Sequence, residues 1–329
     1  MLLDQFYAND KAKQTLVNFL TDGRLPHTVL LEGEDGCGKT TFARMMAAGV
    51  LCQQQDVSQR PCGGCRNCRL ILSDAHPDVH LEQSEDKARG FHIDQIRTLR
   101  ADAYIRPNDG DYKVYILRNI HNMTEQAQNA LLKIIEEPPR QVLFILTCNN
   151  RARILPTILS RAAVIPLSVC SVGQCMEALE RLAADVSAEQ RHQVAQLAQG
   201  NIGKALQMLQ DERSLKIACD ARRVGQTVCI GQEFELLSCL QEYTGAKKRE
   251  EFLRLMQGVR AYFMELIHLQ NGVVQRVDDI PVAVQNRITT LQALQILDII
   301  DTATSQVTQN VSLNLVAAAF CAQAKRLLP

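Results

Sequence analysis

With 329 residues, 46% of them hydrophobic and 22% charged, the chain is too long for one small core and too apolar for disorder, so two or three ordered domains are expected. Lys plus Arg (36) equals Asp plus Glu (36), which excludes a chain-wide field that would draw it onto nucleic acid by counterion release. No run approaches the roughly 18 apolar residues that span a bilayer, and Met1 to Asp10 lacks the basic start and apolar core of a secretory signal, so a cytoplasmic protein without a membrane partner is expected.

In chain order, the apolar runs Thr28–Leu31, Val79–Leu81, Val114–Leu117, Val142–Thr147 and Ala163–Leu167 alternate with amphipathic stretches. That alternation predicts an α/β domain whose parallel strands are buried on both faces. Thr124–Glu137 has apolar residues at helical spacing, at Ala127, Ala130, Leu131, Ile134 and Ile135, and Pro138-Pro139 ends it. After Val169 the strand-like runs stop, and helical patterns fill Gly173–Leu209 and then Asp211 to the C-terminus, with Gly272 and Pro281 marking loops. The expected organisation is an α/β P-loop domain over 1–169, a small helical domain over 170–210 and an all-α domain over 211–329.

Gly33-Glu34-Asp35-Gly36-Cys37-Gly38-Lys39-Thr40 fits G-x-x-x-x-G-K-[ST], and it lies between the strand Thr28–Leu31 and the helical stretch Thr40–Leu51. Gly33, Gly36 and Gly38 let backbone N–H groups face phosphate oxygens. Lys39 offers charge to the β- and γ-phosphates, and Thr40 can ligate magnesium, so Gly33 to Thr41 is a candidate ATP or ADP site. Hydrolysis needs more: a later strand ending in an acid that holds the metal and a second acid that activates water. Where strand Lys113–Leu117 ends, the chain carries Arg118 and Asn119 instead. A cation repels magnesium and an amide accepts no proton, so self-contained hydrolysis is not expected.

Twelve cysteines divide into a tight cluster and scattered residues. Cys52, Cys62, Cys65 and Cys68 have the spacing C-x9-C-x2-C-x2-C, with Gly63 and Gly64 available for a turn between ligands. Four thiolates suit a closed, tetrahedral, structural zinc site. A redox dithiol would use two of them and leave two unexplained, and the spacing gives an iron-sulfur cluster no preference. The scattered cysteines read as reduced core residues.

Asn129-Ala130-Leu131-Leu132-Lys133-Ile134-Ile135-Glu136-Glu137-Pro138-Pro139, followed by Leu159-Ser160-Arg161, resembles the N-A-L-L-K-x-x-E-E-P-P and S-R-C segments of bacterial DNA polymerase III clamp-loader subunits. Arg24-Leu25-Pro26-His27 and Ile93-Asp94-Gln95-Ile96-Arg97 add to the resemblance, which covers residues 20–165. It implies an AAA+ domain with an inserted zinc module at 52–68, a helical lid and a helical collar closing a hetero-pentamer with gamma/tau and delta subunits. Through that assembly it implies contact with the sliding clamp and primer-template DNA.

The family's motor subunits carry the acidic pair and a lid motif G-S-x-R-D-A-L. This chain has Arg118-Asn119 and reads Gly200-Asn201-Ile202-Gly203-Lys204-Ala205-Leu206, with Gly203 at the arginine position. Both departures point to the delta-prime branch, a stator. By resemblance Arg161 is the arginine finger that reaches a neighbour's ATP site, although Ala162 replaces the family's cysteine. Two rivals stand beside this reading: an active motor subunit using another acid, and a zinc-dependent nucleic-acid binder with an incidental phosphate loop.

Overall fold

The computed structural model describes residues 2–82, 91, 93–245, 247–272, 280 and 282–327. The chain forms two compact units, 1–206 and 207–329. Five parallel strands, β1 (Thr28–Glu32), β2 (Val79–Glu82), β3 (Lys113–Leu117), β4 (Val142–Cys148) and β5 (Ala163–Pro166), make one sheet in the order β2-β3-β4-β1-β5. Each lies within two residues of the apolar run that predicted it. Around the strands stand α1 (Asp10–Thr21), α2 (Lys39–Val50), α3 (Arg66–Leu72), α4 (Ile93–Ala103), α5 (Glu125–Glu136) and α6 (Pro156–Leu159), followed by α7 (Val172–Leu182), α8 (Ala188–Leu197) and α9 (Ile202–Gln210).

Period-two alternation sends neighbouring side chains of the central strands to opposite faces. Val29, Leu31, Val114, Ile116, Leu143 and Ile145 pack with Leu16, Phe42, Met46 and Ile71 of α1, α2 and α3. Leu30, Tyr115, Leu117, Phe144 and Leu146 pack with Ile96, Leu131 and Ile134 of α4 and α5. Burial on both faces, expected of all five strands, holds for β1, β3 and β4 only. The two edges differ because each has a neighbour on one side: β2 is half-buried throughout, and Val164 of β5 is exposed.

The α5 helix begins where Thr124 accepts a hydrogen bond from Ala127 N–H at 3.2 Å, and Pro138-Pro139 follows its end. Prolines lack the N–H that another turn would need.

The second unit is helical, with α10 (Glu212–Ile230), α11 (Glu233–Gln241), α12 (Arg249–Gln270), α13 (Val282–Gln285), α14 (Thr290–Thr308) and α15 (Leu313–Leu327). Pro281 lies outside the described residues. Phe252, Tyr262, Phe263, Ile296 and Phe320 build its core, and Gly225 lets α10 approach α12, since a Cβ there would stand 2.4 Å from the Tyr262 ring. No helix among the described residues is long and apolar enough to cross a membrane.

Candidate functional site

The strand order sets the position of the phosphate loop. β1 is flanked by β4 and β5, neither adjacent to it in sequence, so the loop after β1 emerges at a topological switch point, where sheets of this kind bind ligands. Gly33 N–H donates to Cys148 O at 3.1 Å and Leu167 N–H donates to Glu32 O at 2.7 Å, which fixes the root of the loop from both sides. Gly38 precedes α2 without a side-chain cap. The first N–H groups of the helix therefore have no intrahelical acceptor, and they and the helix dipole favour an anion. Gly36 and Gly38 hold φ of 89° and 95°, which other residues rarely adopt.

Lys39 is buried, and its ammonium spends all three N–H groups on the loop. Nζ lies 2.6 Å from Gly33 O, 2.8 Å from Glu34 O and 3.4 Å from Asp35 Oδ1. The other carboxylate oxygen of Asp35 accepts from Asn149 Nδ2 at 3.2 Å, just past the end of β4. Asn149 N–H in turn donates to His121 Nδ1 at 3.4 Å, and burial pulls the His121 imidazole below its ordinary pKa.

The start of α9 closes on the same loop. Gly203 N–H donates to Gly36 O at 3.1 Å, the buried Asn201 Nδ2 donates to Asp35 O at 2.9 Å, and Lys204 Nζ lies 3.2 Å from Glu34 Oε2. A Cβ on Gly203 would stand 2.6 Å from Gly36 Cα. Position 203 thus does more than lack an arginine: its missing side chain permits backbone-to-backbone contact.

Beside this contact opens a mainly apolar cavity of about 390 Å³, lined among others by Phe6, Tyr7, Thr41, Arg181, Ile202 and Leu206. The N–H groups at the start of α2, next to an apolar hollow, could receive the two ends of a nucleotide, with Gly33, Gly36, Gly38, Lys39, Thr40 and Thr41 the residues that would meet its phosphates. The cavity residues were not legible in the sequence, because they come from separated segments that carry no motif.

β3 places Arg118 and Asn119 where the sequence reading put them. β3 pairs with β4, and both strands end on the same side of the sheet as β1. Arg118 N–H donates to Glu82 O at 3.0 Å, and Asn119, at φ 56°, donates its N–H to Thr147 Oγ1 at 2.9 Å. Arg161 is not among the groups that contact the loop. It follows α6, half-exposed, with Nη2 3.1 Å from Glu136 Oε1 and Nη1 donating to Thr157 O at 3.1 Å.

The cysteine cluster lies at the other end of α2. The four Sγ atoms of Cys52, Cys62, Cys65 and Cys68 fall within 4.8 Å of one another, with Cys62 to Cys68 at 3.9 Å and Cys52 to Cys68 at 3.7 Å. Zinc–sulfur bonds of about 2.3 Å in a tetrahedron set sulfurs about 3.8 Å apart, so the donor set fits zinc. Burial pushes the Cys52 and Cys68 thiols up. In Cys62 the Cys65 N–H bond lowers the pKa, and in Cys65 bonds from the Gln53 and Cys68 N–H groups outweigh burial and bring it to about 6. These N–H bonds favour the thiolates that a metal needs.

Residues 8–171 match the family described as DNA polymerase III, delta subunit. The chain is 34% identical over 197 residues to DNA polymerase III subunit tau of Escherichia coli, covering 59% of this chain and 30% of that protein. It is also 34% identical over 158 residues to the delta' subunit of Bacillus subtilis, covering 47% of this chain and 46% of that one. The matched region thus spans less than half the length of either relative. A gamma subunit-related protein of Thermotoga maritima superposes over 95% of this chain and 98% of its own, with 17% identity and a TM-score of 0.46, too loose a likeness to define the fold, which rests on the strand order.

Proposed function

We propose that the chain, similar over residues 8–171 to the DNA polymerase III delta-subunit family and to tau and delta' subunits, is an AAA+ clamp-loader subunit, the delta-prime-type stator of the loader. In this reading residues 1–169 are the AAA+ domain, 170–210 the lid and 211–329 the collar. The chain works in the cytoplasm in a hetero-pentamer with gamma/tau and delta subunits, which opens the sliding clamp and places it on primed DNA. The observation that carries the reading is the pair Arg118-Asn119 at the end of β3, where a motor needs two acids. Arg118 has no lone pair for magnesium and Asn119 cannot take a proton from water, so the chain binds a nucleotide without turning it over.

Arg161 supplies the function that remains. Its guanidinium is held at the surface by Glu136 and the Thr157 carbonyl, and a planar cation presented to a neighbour's site stabilises charge on a transferring phosphoryl group. The four cysteines hold a structural zinc that pins the segment after α2.

Reconstitution tests the proposal. Motor subunits mixed with this chain should hydrolyse ATP faster than without it. Arg161→Ala should leave assembly intact while lowering turnover at the site it reaches by a factor on the order of 10³, seen as a partial loss of total activity, and unchanged turnover would remove the finger role. The intact loop from Gly33 to Thr40 favours a second reading, an active motor. Steady turnover by the chain alone, abolished by Lys39→Ala, would establish that reading instead.

A further inference from the structure

The geometry points to Asp35 as a built-in substitute for the terminal phosphate of a nucleoside triphosphate, so that the loop selects a nucleoside diphosphate. The inference rests on reading the loop as a nucleotide site. In such loops the β-phosphate is held largely by backbone N–H groups, whereas the terminal phosphate depends on side-chain donors, the loop lysine first among them. Here those donors are already engaged. Asp35 sets one carboxylate oxygen 3.4 Å from Lys39 Nζ and the other 3.2 Å from Asn149 Nδ2, bridging the loop to the tip of β4.

The charge around the loop acts in the same direction. Glu34 adds a second carboxylate, directed to Lys204 at 3.2 Å, and burial lowers the pKa of the His121 imidazole, which works against a compensating cation there. A triphosphate would add its terminal charge beside Asp35 and would have to break the Lys39 and Asn149 contacts. A diphosphate adds no terminal phosphate beside Asp35 and is held mainly by the N–H groups at the start of α2. The backbone carbonyl of Asp35 accepts from the buried Asn201, so the residue is held in register with its partners.

Nucleotide titration of the purified full-length chain with magnesium, followed by calorimetry with ADP and with ATP, tests this. The wild type should bind ADP about tenfold more tightly than ATP. Asp35→Asn should raise ATP affinity about tenfold and leave ADP affinity within about twofold. Asp35→Ala, at a side chain 69% exposed, should do the same and guards against a folding artefact. Equal affinities in the wild type, unaltered in both variants, would overturn the proposal. So would weaker ATP binding in Asp35→Asn, which would make the carboxylate a magnesium ligand. Failure of all three proteins to bind either nucleotide would overturn it too, and if the chain still assembled with motor subunits the stator reading would stand without it.

Discussion

The two ends of α2 treat charge in opposite ways. At its N-terminus, where the helix dipole favours an anion, the loop has already supplied one: Asp35 faces Lys39, and the lysine's remaining N–H groups go to loop carbonyls. At its C-terminus, where the dipole favours a cation, four sulfurs converge, and Cys68 Sγ lies 3.9 Å from Ala48 O in the last turn. The first end is neutralised from within, whereas the second gathers four sulfurs that could hold an ion. One helix thus carries a loop whose charged groups engage one another and a donor set that fits a metal.

The largest expected effect separates the ends at the metal. Elemental analysis of freshly purified protein should give about one zinc per chain, and Cys68→Ser should remove it and lower the melting temperature by about 10 °C or more. Cys239→Ser, at a thiol outside the cluster, should change neither value. Zinc below half an equivalent in the wild type would break the comparison at this end.

The next effect is at the loop. Gly203→Ala puts a Cβ into the Gly36 backbone and should cost about 2–4 kcal/mol in chemical denaturation, whereas Gly64→Ala, with nothing within 4 Å of its Cβ, should stay within about 0.5 kcal/mol. Equal costs would mean that the contact of α9 with the loop carries no stability.

A third test concerns the frame beneath the cysteines. Buried Asp78 accepts from the N–H groups of Asn108, Asp109 and Gly110 at 2.5, 2.7 and 2.9 Å, and Asp109 then binds Arg66 of α3 at 2.7 Å. Asp78→Ala strands those donors and should cost about 3 kcal/mol. Burial works to raise the Asp78 pKa, but the three N–H groups and the Asn108 side chain overcome it and hold it low. The sign follows: the contribution is complete above the unfolded value of about 3.9 and is lost as pH falls through the lower folded value. Melts from pH 5 down to pH 2 should therefore converge for wild type and variant, and a constant gap would refute the assignment. The smallest effect, about 1 kcal/mol, is expected of Thr124→Ala, which removes the α5 cap.

Each of these features was legible in the sequence to a different depth. The five strands, the α5 helix with its proline stop, the glycine-rich loop and the cysteine set are local patterns, governed by pleat, helical turn and ligand spacing over short stretches of chain, and all are in place. Glu136 as the partner of Arg161 and Asn149 as the partner of Asp35 had no such signal, being 25 and 114 residues away along the chain. The cavity beside the loop is further from any motif, since Phe6 and Leu206 approach it from opposite ends of the first unit.

The amino-acid order alone determined which segments become strands, which glycines can bend into a tight loop, which thiols can share an ion and that Arg118 and Asn119, not acids, follow the third strand. Tertiary closure decided that the edge strands stay half-exposed, that Gly203 meets Gly36 backbone to backbone, and that Asp35 bridges Lys39 and Asn149. The division has a physical cause. Backbone geometry and side-chain period act over a few residues and are written in the sequence, whereas the partner of a charged group depends on which distant carboxylate, amide or carbonyl the packed core carries to within about 3 Å of it.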